Sequence, residues 1–265
     1  MARIFCIANQ KGGVGKTTTT VNLAAGLAKV GQRVLMVDLD PQGNATMGSG
    51  IDKRQLRLSV YDVLLESATV AEARVESEKL VAAGCGYAVL GANRELAGAE
   101  IELVEIERRE RRLKTALAEV TKDYDFILID CPPSLSMLTL NGLCCAHGVI
   151  VPMQCEYFAL EGLTDLVNTI KQVRANLNRE LSVIGLLRVM FDPRITLQQQ
   201  VSEQLKVHFG DKVFDTVVPR NVRLAEAPSY GLPGVVFDPN SRGAQAYLAF
   251  AQELVARLEK PQSSR

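Results

Sequence analysis

Near its start the chain reads Ile4-Phe5-Cys6-Ile7-Ala8-Asn9-Gln10-Lys11-Gly12-Gly13-Val14-Gly15-Lys16-Thr17-Thr18-Thr19-Thr20. The apolar beginning predicts a strand, a loop with three glycines follows, and a helical pattern continues over residues 21–28. Glycines allow the backbone to bend until successive N–H groups converge on one anion, and the start of the helix adds the positive end of its dipole. The order strand, glycine-rich loop and helix therefore predicts a site for the phosphates of a nucleotide.

Two side chains at the end of this loop suit triphosphate chemistry. The Lys16 ammonium group is expected to reach the β and γ phosphates, and the Thr17 hydroxyl is expected to bind Mg²⁺ directly. The usual pattern G-x-x-x-x-G-K-[ST] has glycine where this chain has Gln10, and a second lysine, Lys11, follows it. The loop therefore differs from the usual pattern at its first position, where glutamine replaces glycine, and in the extra lysine that follows. The predicted phosphate-contacting residues of the motif are Gly12, Gly13, Val14, Gly15, Lys16, Thr17 and Thr18.

Two further apolar runs end in aspartates. Residues 34–37 lead into Asp38 and Asp40, and residues 126–129 lead into Asp130. Ligands of open parallel sheets bind at the carboxyl ends of strands, so these carboxylates are expected beside the phosphate loop. We expect Asp130 to hold Mg²⁺, usually through water, and the two prolines after it to stiffen a loop that senses the γ-phosphate.

Strands alternate with helices along nearly the whole sequence. This pattern predicts an α/β fold of the P-loop NTPase class, with a mostly parallel twisted sheet of about seven to eight strands and helices on both faces. We expect one domain over residues 1–260 and a disordered tail over residues 261–265. The apolar positions of residues 245–258 fit one helical face, which is expected to dock onto the sheet.

Two stretches without assigned chemistry also have helical patterns. The first covers residues 70–80. The second extends from residue 96 to 114, with charges that alternate in sign, and this alternation favours a solvated, ion-paired face over a DNA contact. The residues that this second helix is expected to carry inward are Leu103, Ile106, Leu113 and Leu117.

Composition and charge exclude some classes of protein. The 265 residues include 30 basic and 30 acidic side chains, so binding to nucleic acid or membrane requires a local patch. The six cysteines lack C-x-x-C spacing, which argues against a zinc or iron–sulfur framework and suits buried thiols in a reducing cytosol. A strand that starts at Arg3 leaves no room for a signal peptide, and no apolar run reaches the roughly 20 residues of a membrane helix. We therefore expect a cytoplasmic protein.

The chain resembles the ParA/MinD class of ATPases, whose deviant Walker A loop K-G-G-x-G-K-[ST] matches residues 11–17. Within this class it resembles the chromosomal ParA proteins of the Soj branch, which are DNA-segregation ATPases. The matching segments are residues 9–18, 38–46, 96–103, 130–134, 154–163 and 218–229. The resemblance covers essentially the chain from Arg3 to about Leu258. It implies ATP and Mg²⁺ as cofactors and an ATPase that is weak without its partner.

The resemblance also implies an ATP-dependent cycle. ATP closes a sandwich homodimer, the dimer binds double-stranded DNA without sequence preference, and a ParB-type centromere-binding protein stimulates hydrolysis and releases the dimer. Lys11 is implied to contact phosphate across the dimer, and Gly12 to lie so close to the facing subunit that a side chain would block closure. Asp40 is implied to position the attacking water and to hold Mg²⁺ through water. The implied catalytic residues are Lys11, Lys16 and Asp40.

Further matches concern the adenine base. Met190, Pro219 and Asn221 match positions near the adenine in relatives of the Soj branch. The same residue types also suit packing and turns at the ends of strands. The sequence leaves both roles open for these three residues.

Four arginines are candidates for DNA contact. Arg194 and Arg223 match the arginines through which the Soj branch contacts DNA. Arg188 and Arg220 also follow strand ends in the last third of the chain, so the fold could gather all four on one side. Binding to DNA phosphates needs long cationic side chains and no base readout, although isolated surface arginines can equally be solvated.

Two other functions share the early motifs. A MinD-like ATPase that positions a division or cellular cargo at the membrane needs a short basic amphipathic tail, which residues 261–265 do not provide. A cluster-carrying ATPase needs a recognisable cysteine pair, and Cys131, Cys144 and Cys145 do not lie in such motifs. The predicted partners are therefore a second copy, DNA and a ParB-type protein, without a membrane, and the predicted location is the nucleoid.

Overall fold

The computed structural model describes residues 1–259, and an eight-stranded sheet lies at its centre. The strands are β1 (Arg3–Ile7), β2 (Val34–Asp38), β3 (Arg74–Glu76), β4 (Ala88–Leu90), β5 (Phe126–Asp130), β6 (Gly148–Met153), β7 (Ser182–Phe191) and β8 (Val213–Pro219). Their order across the sheet is β3-β4-β2-β5-β1-β6-β7-β8. Neighbours pair in parallel except β3 and β4, which pair antiparallel. The predicted α/β class with a mostly parallel sheet is confirmed.

Helices cover both faces of this sheet. They are α1 (Lys16–Lys29), α2 (Asn44–Gly48), α3 (Val60–Leu64), α4 (Val70–Ala73), α5 (Glu78–Ala82), α6 (Leu96–Glu102), α7 (Arg112–Ala118), α8 (Met137–Cys145), α9 (Ala159–Asn176), α10 (Thr196–Phe209), α11 (Val222–Glu226), α12 (Gly234–Phe237) and α13 (Arg242–Glu259). The side chains of β1 point alternately to the two faces of the sheet and so show which helices cover each face. Phe5 and Ile7 pack with α1 and α13 on one face, whereas Ile4 and Cys6 pack with α8 and α9 on the other.

The helix that follows the phosphate loop packs against the last helix of the described chain. A Cβ built on Gly26 of α1 would lie 3.1 Å from the Ala251 Cβ of α13, so the absence of a side chain allows this close approach. The Thr19 hydroxyl and the Tyr247 hydroxyl form a buried hydrogen bond of 3.0 Å between the same helices. Phe250 of α13 also packs edge to face on Phe214 of β8, with ring centroids 4.8 Å apart, so the prediction that a helix over residues 245–258 docks onto the sheet is confirmed.

Two helical predictions are wrong in part. Residues 70–80 form α4 and α5 with the edge strand β3 between them, because β3 pairs with β4 in place of continuing the helix. Residues 96–114 do not form one helix, since Arg108 adopts a left-handed φ of 53° and two 3₁₀ turns separate α6 from α7. Leu103, Leu113 and Leu117 are nevertheless buried, as the pattern indicates.

Some predictions lie beyond these observations. Residues 261–265, the predicted disordered tail, are outside the described residues, and a single domain over residues 1–260 stays a prediction. Across residues 1–259, every helix is too short or too polar to traverse a lipid bilayer.

Candidate nucleotide-binding site

The loop between β1 and α1 has the backbone that an anion site requires. Gly13 and Gly15 have φ angles of 73° and 77°, in the left-handed region that residues with a Cβ rarely adopt. Within residues 1–259, no side chain caps the start of α1, and the first turn of α1 contains no acidic residue. The N–H groups of this first turn are therefore available to a bound anion.

The Lys16 side chain curls over this loop. Its Nζ donates a 3.0 Å hydrogen bond to the Lys11 carbonyl oxygen, and the residue is buried. Burial lowers the pKa of Lys16, while the nearby charges of Asp130 and Asp40 oppose that shift. The ammonium group thus lies above the loop N–H groups, beside two carboxylates, where an incoming phosphate would replace the carbonyl as its partner.

Asp130, at the end of β5, is bonded to the first turns of α1. The Thr17 hydroxyl donates to its Oδ2 at 2.8 Å, and the Thr20 hydroxyl donates to its Oδ1 at 2.8 Å. The parallel pairing of β1 with β5 places this carboxylate at the same edge of the sheet as the phosphate loop. Two hydroxyls therefore satisfy a carboxylate that is fully inside the protein.

A second buried carboxylate lies next to it. Asp38 of β2 pairs in register with Asp130 of β5. Asp38 accepts hydrogen bonds from the backbone N–H and the hydroxyl of Thr46, at 2.8 and 2.7 Å. Burial and then the charge of Asp38 raise the pKa of Asp130 to about 7, and burial raises the pKa of Asp38 to about 6. The pair forms a site of concentrated negative charge that a cation would stabilise.

Asp40 is the third carboxylate at this edge of the sheet. Its backbone N–H donates to Asp38 Oδ1 at 3.1 Å, and its own Oδ1 accepts from the Gln42 N–H at 2.9 Å. These bonds fix the turn after β2, so that Asp40 is half-buried beside the loop. The sequence singled out Asp40, but the role of Asp38 in anchoring it through the backbone was missed.

The oxygen atoms at this edge fit a magnesium ion. Mg²⁺ prefers hard oxygen ligands and keeps several waters, and it is usually bound by one or two carboxylates together with substrate phosphates. The Thr17 hydroxyl and the Asp130 carboxylate already lie within hydrogen-bond distance of each other. Thr17 could therefore hold the ion directly, and Asp130 and Asp40 through water.

Lys11, the lysine that distinguishes this loop, is turned toward its own chain. Its Nζ forms an ion pair of 2.5 Å with Glu156 Oε2, with side chains 48% and 45% exposed. Its backbone N–H donates to the Asn9 side chain at 3.0 Å. Gln154, two residues before Glu156, donates to the Gly13 carbonyl oxygen at 3.3 Å. The loop after β6 therefore touches the phosphate loop twice, which the sequence did not predict.

The three residues that were predicted near the adenine have different neighbours in the structure. Met190 has a φ of 51° at the end of β7, and its terminal methyl lies 3.6 Å from a Cβ built on Gly15. Pro219 ends β8 beside Phe191 of β7. The Asn221 side chain caps α11 by accepting from the Leu224 N–H at 3.3 Å. Of the three, Met190 lies next to the loop, and the adenine role of all three stays a prediction.

A cleft of about 560 Å³ opens beside the first turn of α1. It lies between α1, α2 and the segment from α11 to α12, and it reaches Thr17 and Thr18 on one side and Lys53 and Arg54 on another. Its volume is in the range of pockets that bind small molecules. This cleft could not be predicted from the sequence, because its lining comes from segments far apart in the chain.

The four predicted DNA-contacting arginines do not share one environment. Arg188 is only 4% exposed, and its guanidinium donates to the Ser202 hydroxyl and the Phe214 carbonyl oxygen, so its assignment as a surface contact is wrong. Position 188 lies inside β7 and points into the core, whereas the prediction placed it after a strand end. The other three, Arg194, Arg220 and Arg223, are exposed.

Two of the exposed arginines, Arg194 and Arg223, have acidic neighbours. Arg194 forms an ion pair of 2.7 Å with Asp192, and this contact lowers the pKa of Asp192 to about 2. Arg223 pairs with Glu226 at 2.9 Å and with Asp238 at 3.3 Å. A DNA phosphate would therefore compete with these carboxylates for the guanidinium groups.

The fold and the phosphate loop together define a P-loop nucleoside triphosphatase. A family model described as an AAA domain matches residues 2–183. The sporulation initiation inhibitor protein Soj of Bacillus subtilis is 52% identical over 260 residues, which are 97% of this chain and 99% of that protein. The chain belongs to the ParA/Soj family of ATPases.

Other proteins extend this similarity. The chromosome partitioning protein ParA of Caulobacter vibrioides strain NA1000 is 49% identical over 257 residues, 96% of this chain and 94% of that protein. A crystal structure of cobyrinic acid a,c-diamide synthase from Mycobacterium smegmatis, with bound ADP and magnesium, is 39% identical with a TM-score of 0.84. The match covers 98% of this chain and 96% of that one.

Proposed function

We propose that this chain binds ATP and Mg²⁺ at the phosphate loop and uses ATP hydrolysis as a switch in the segregation of DNA. The observation that carries the proposal is the 2.8 Å bond between the Thr17 hydroxyl and Asp130, since it brings two magnesium-binding groups together beside Lys16. The process itself, partition of a chromosome or plasmid, comes from the names of the Soj and ParA relatives.

The residues at the site have separate tasks in hydrolysis. Bound Mg²⁺ would supply charge neutralisation at the β and γ phosphates. Lys16 exchanges its bond with the Lys11 carbonyl for a phosphate oxygen and stabilises the charge that develops during transfer. Asp40 has one carboxylate oxygen fixed by the Gln42 N–H, which leaves the other to orient the attacking water.

A second copy of the chain is proposed to supply the contact between Lys11 and the phosphates that one copy lacks. In the single chain the Lys11 ammonium group is paired with Glu156, away from its own loop. We expect ATP to draw two copies together face to face, so that each Lys11 contacts the phosphates of the other. Among residues 1–259, no atom lies within 4 Å of a Cβ built on Gly12, which supports an open face at that position.

The dimer is proposed to bind DNA through its phosphates. Arg194, Arg220 and Arg223 present long cationic side chains at the surface, and phosphates can replace the ion-pair partners of Arg194 and Arg223. Such contacts carry no base readout, so binding is independent of sequence and steeply dependent on salt. A ParB-type partner then stimulates hydrolysis and releases the dimer from the nucleoid. All of these steps take place in the cytoplasm.

An electrophoretic shift tests this proposal. Unrelated duplexes of equal length are mixed with the chain and ATP or ADP at two salt concentrations. We expect similar shifts for all duplexes with ATP, weaker shifts at high salt, and loss of the shift in the variant Arg194→Ala, Arg223→Ala. Arg179→Ala, another exposed arginine, is the matched control. Absence of any shift with ATP at low salt would contradict the proposal.

A further inference from the structure

The segment of residues 154–158 follows β6 and is fastened to the phosphate loop. Gln154 Nε2 donates to the Gly13 carbonyl oxygen at 3.3 Å, and Glu156 holds the Lys11 ammonium group at 2.5 Å. Both contacts join side chains of the segment to the loop itself. The position of the next two residues is therefore tied to that of the phosphate site.

These next two residues are aromatic and point into solvent. Tyr157 is 76% exposed and Phe158 is 67% exposed. Their rings pack edge to face with centroids 5.0 Å apart, at an interplanar angle of 89°. Two adjacent large aromatic side chains that bury area mainly against each other form an apolar surface of the kind found at the centre of protein interfaces.

Exposed apolar surface also lies on another side of the phosphate loop. Leu135, in the turn between β5 and α8, is 55% exposed. It borders a crevice that is also lined by Asn9 and Gln10 of the phosphate loop and by Leu166 of α9. Leu135 thus borders a crevice of the phosphate loop, and the aromatic pair follows the segment whose side chains contact the same loop.

We propose that Tyr157 and Phe158 anchor a second copy of this chain on the nucleotide face, an inference that rests on the proposed ATP-dependent dimer. The second copy is the occupant because Lys11, which must reach its phosphates, is held by the residue directly before the aromatic pair. Charged Lys11 and Glu156 border the two rings, as polar residues border the apolar centre of an interface. DNA does not fit this surface, since the segment contains an acidic side chain and no arginine or lysine.

In a two-fold symmetric dimer each copy contributes the same surface, so one substitution removes two contacts. The test is the double variant Tyr157→Ser, Phe158→Ser. Position 158 is the residue before the first turn of α9, where serine is a favoured capping residue, so the helix should keep its start. The control is Val207→Ser, which removes an apolar side chain that is 81% exposed on α10.

Dimerisation is measured by sedimentation velocity over a concentration series, with Mg²⁺ and a non-hydrolysable ATP analogue. We expect the double variant to dimerise on the order of 100-fold more weakly than the unaltered chain, and the control within about 2-fold of it. A fluorescent ATP analogue should bind to the monomeric double variant as it does to the unaltered monomer, which shows that the nucleotide site is intact.

Two outcomes overturn the inference and remain distinguishable. If the unaltered chain dimerises and the double variant dimerises equally well, the aromatic pair is not the anchor, and the proposed function survives. If the unaltered chain stays monomeric with the analogue at all concentrations, the proposed ATP-dependent dimer fails together with the inference.

Discussion

Replacement of Glu156 by glutamine should strengthen ATP-dependent dimerisation. The carboxylate of Glu156 pairs with Lys11 in the single chain, at 2.5 Å, and the pair must open before Lys11 reaches the other subunit. Both side chains are nearly half exposed, at 48% and 45%, so solvent screens their attraction, and the pair contributes about 0.2–1 kcal/mol. Two pairs open in each dimer, so Glu156→Gln should favour the dimer by about 0.4–2 kcal/mol, or roughly 2- to 30-fold.

The dimer dissociation constant is measured by sedimentation velocity with the ATP analogue and Mg²⁺, for Glu156→Gln and for a matched control. Glu203→Gln is that control, because Glu203 forms an exposed ion pair of 3.3 Å with Lys206 on α10. The advantage of Glu156→Gln should shrink as salt rises, since salt already weakens the pair in the unaltered chain. Equal or weaker dimerisation of Glu156→Gln at low salt would refute the reasoning, and would indicate that Glu156 stabilises the dimer itself.

Three further predictions concern the loop, the core and the last helix. Gly12→Val should fold and bind ATP but remain monomeric in size-exclusion chromatography, because a Cβ at position 12 meets no atom of residues 1–259 within 4 Å, whereas the added side chain would clash with the proposed second copy; an ATP-bound dimer would contradict this. Arg188→Ala should lower the free energy of unfolding in urea by about 2–4 kcal/mol, since it leaves buried polar groups without partners; an unchanged midpoint would show that the guanidinium is dispensable. Burial opposes ionisation of Glu253, but hydrogen bonds from Thr216 and from the Asp215 N–H hold the pKa of this carboxylate below its ordinary value. The stability that Glu253 contributes is therefore present above about pH 4.5 and is lost as pH falls. The variant Glu253→Gln should lose less of its thermal unfolding midpoint between pH 6 and pH 3 than the unaltered chain.

The central part of the fold was predictable because its signals are local. The order of strand, glycine loop and helix identifies β1 and α1, and apolar runs that end in aspartate identify β2 and β5. Parallel strands must end at one edge of the sheet, so Asp38, Asp40 and Asp130 could be expected near the loop without knowledge of their contacts. Helix α13 was also correctly placed, because its apolar side chains have a clear helical period.

The remaining features depend on tertiary contacts. The left-handed backbone at Arg108 interrupts a pattern that is helical on both sides, and nothing in the neighbouring residue types indicates it. Arg188 was expected at the surface because the predicted strand ended at Leu187, but β7 continues to Phe191, and the burial of Arg188 depends on acceptors from β8 and α10. The pairing of Lys11 with Glu156 joins residues far apart in the sequence, so it could be found only in the structure.

The packing of α1 against α13 has a consequence for synthesis of the protein. The Thr19–Tyr247 hydrogen bond and the close approach of Gly26 to Ala251 mean that one side of α1, the helix behind the phosphate loop, packs against residues 242–259. Translation produces these residues long after α1, and a chain still attached to the ribosome has an open apolar side on α1. We expect ATP affinity to appear late in translation, so incomplete chains neither occupy nucleotide nor join complete copies.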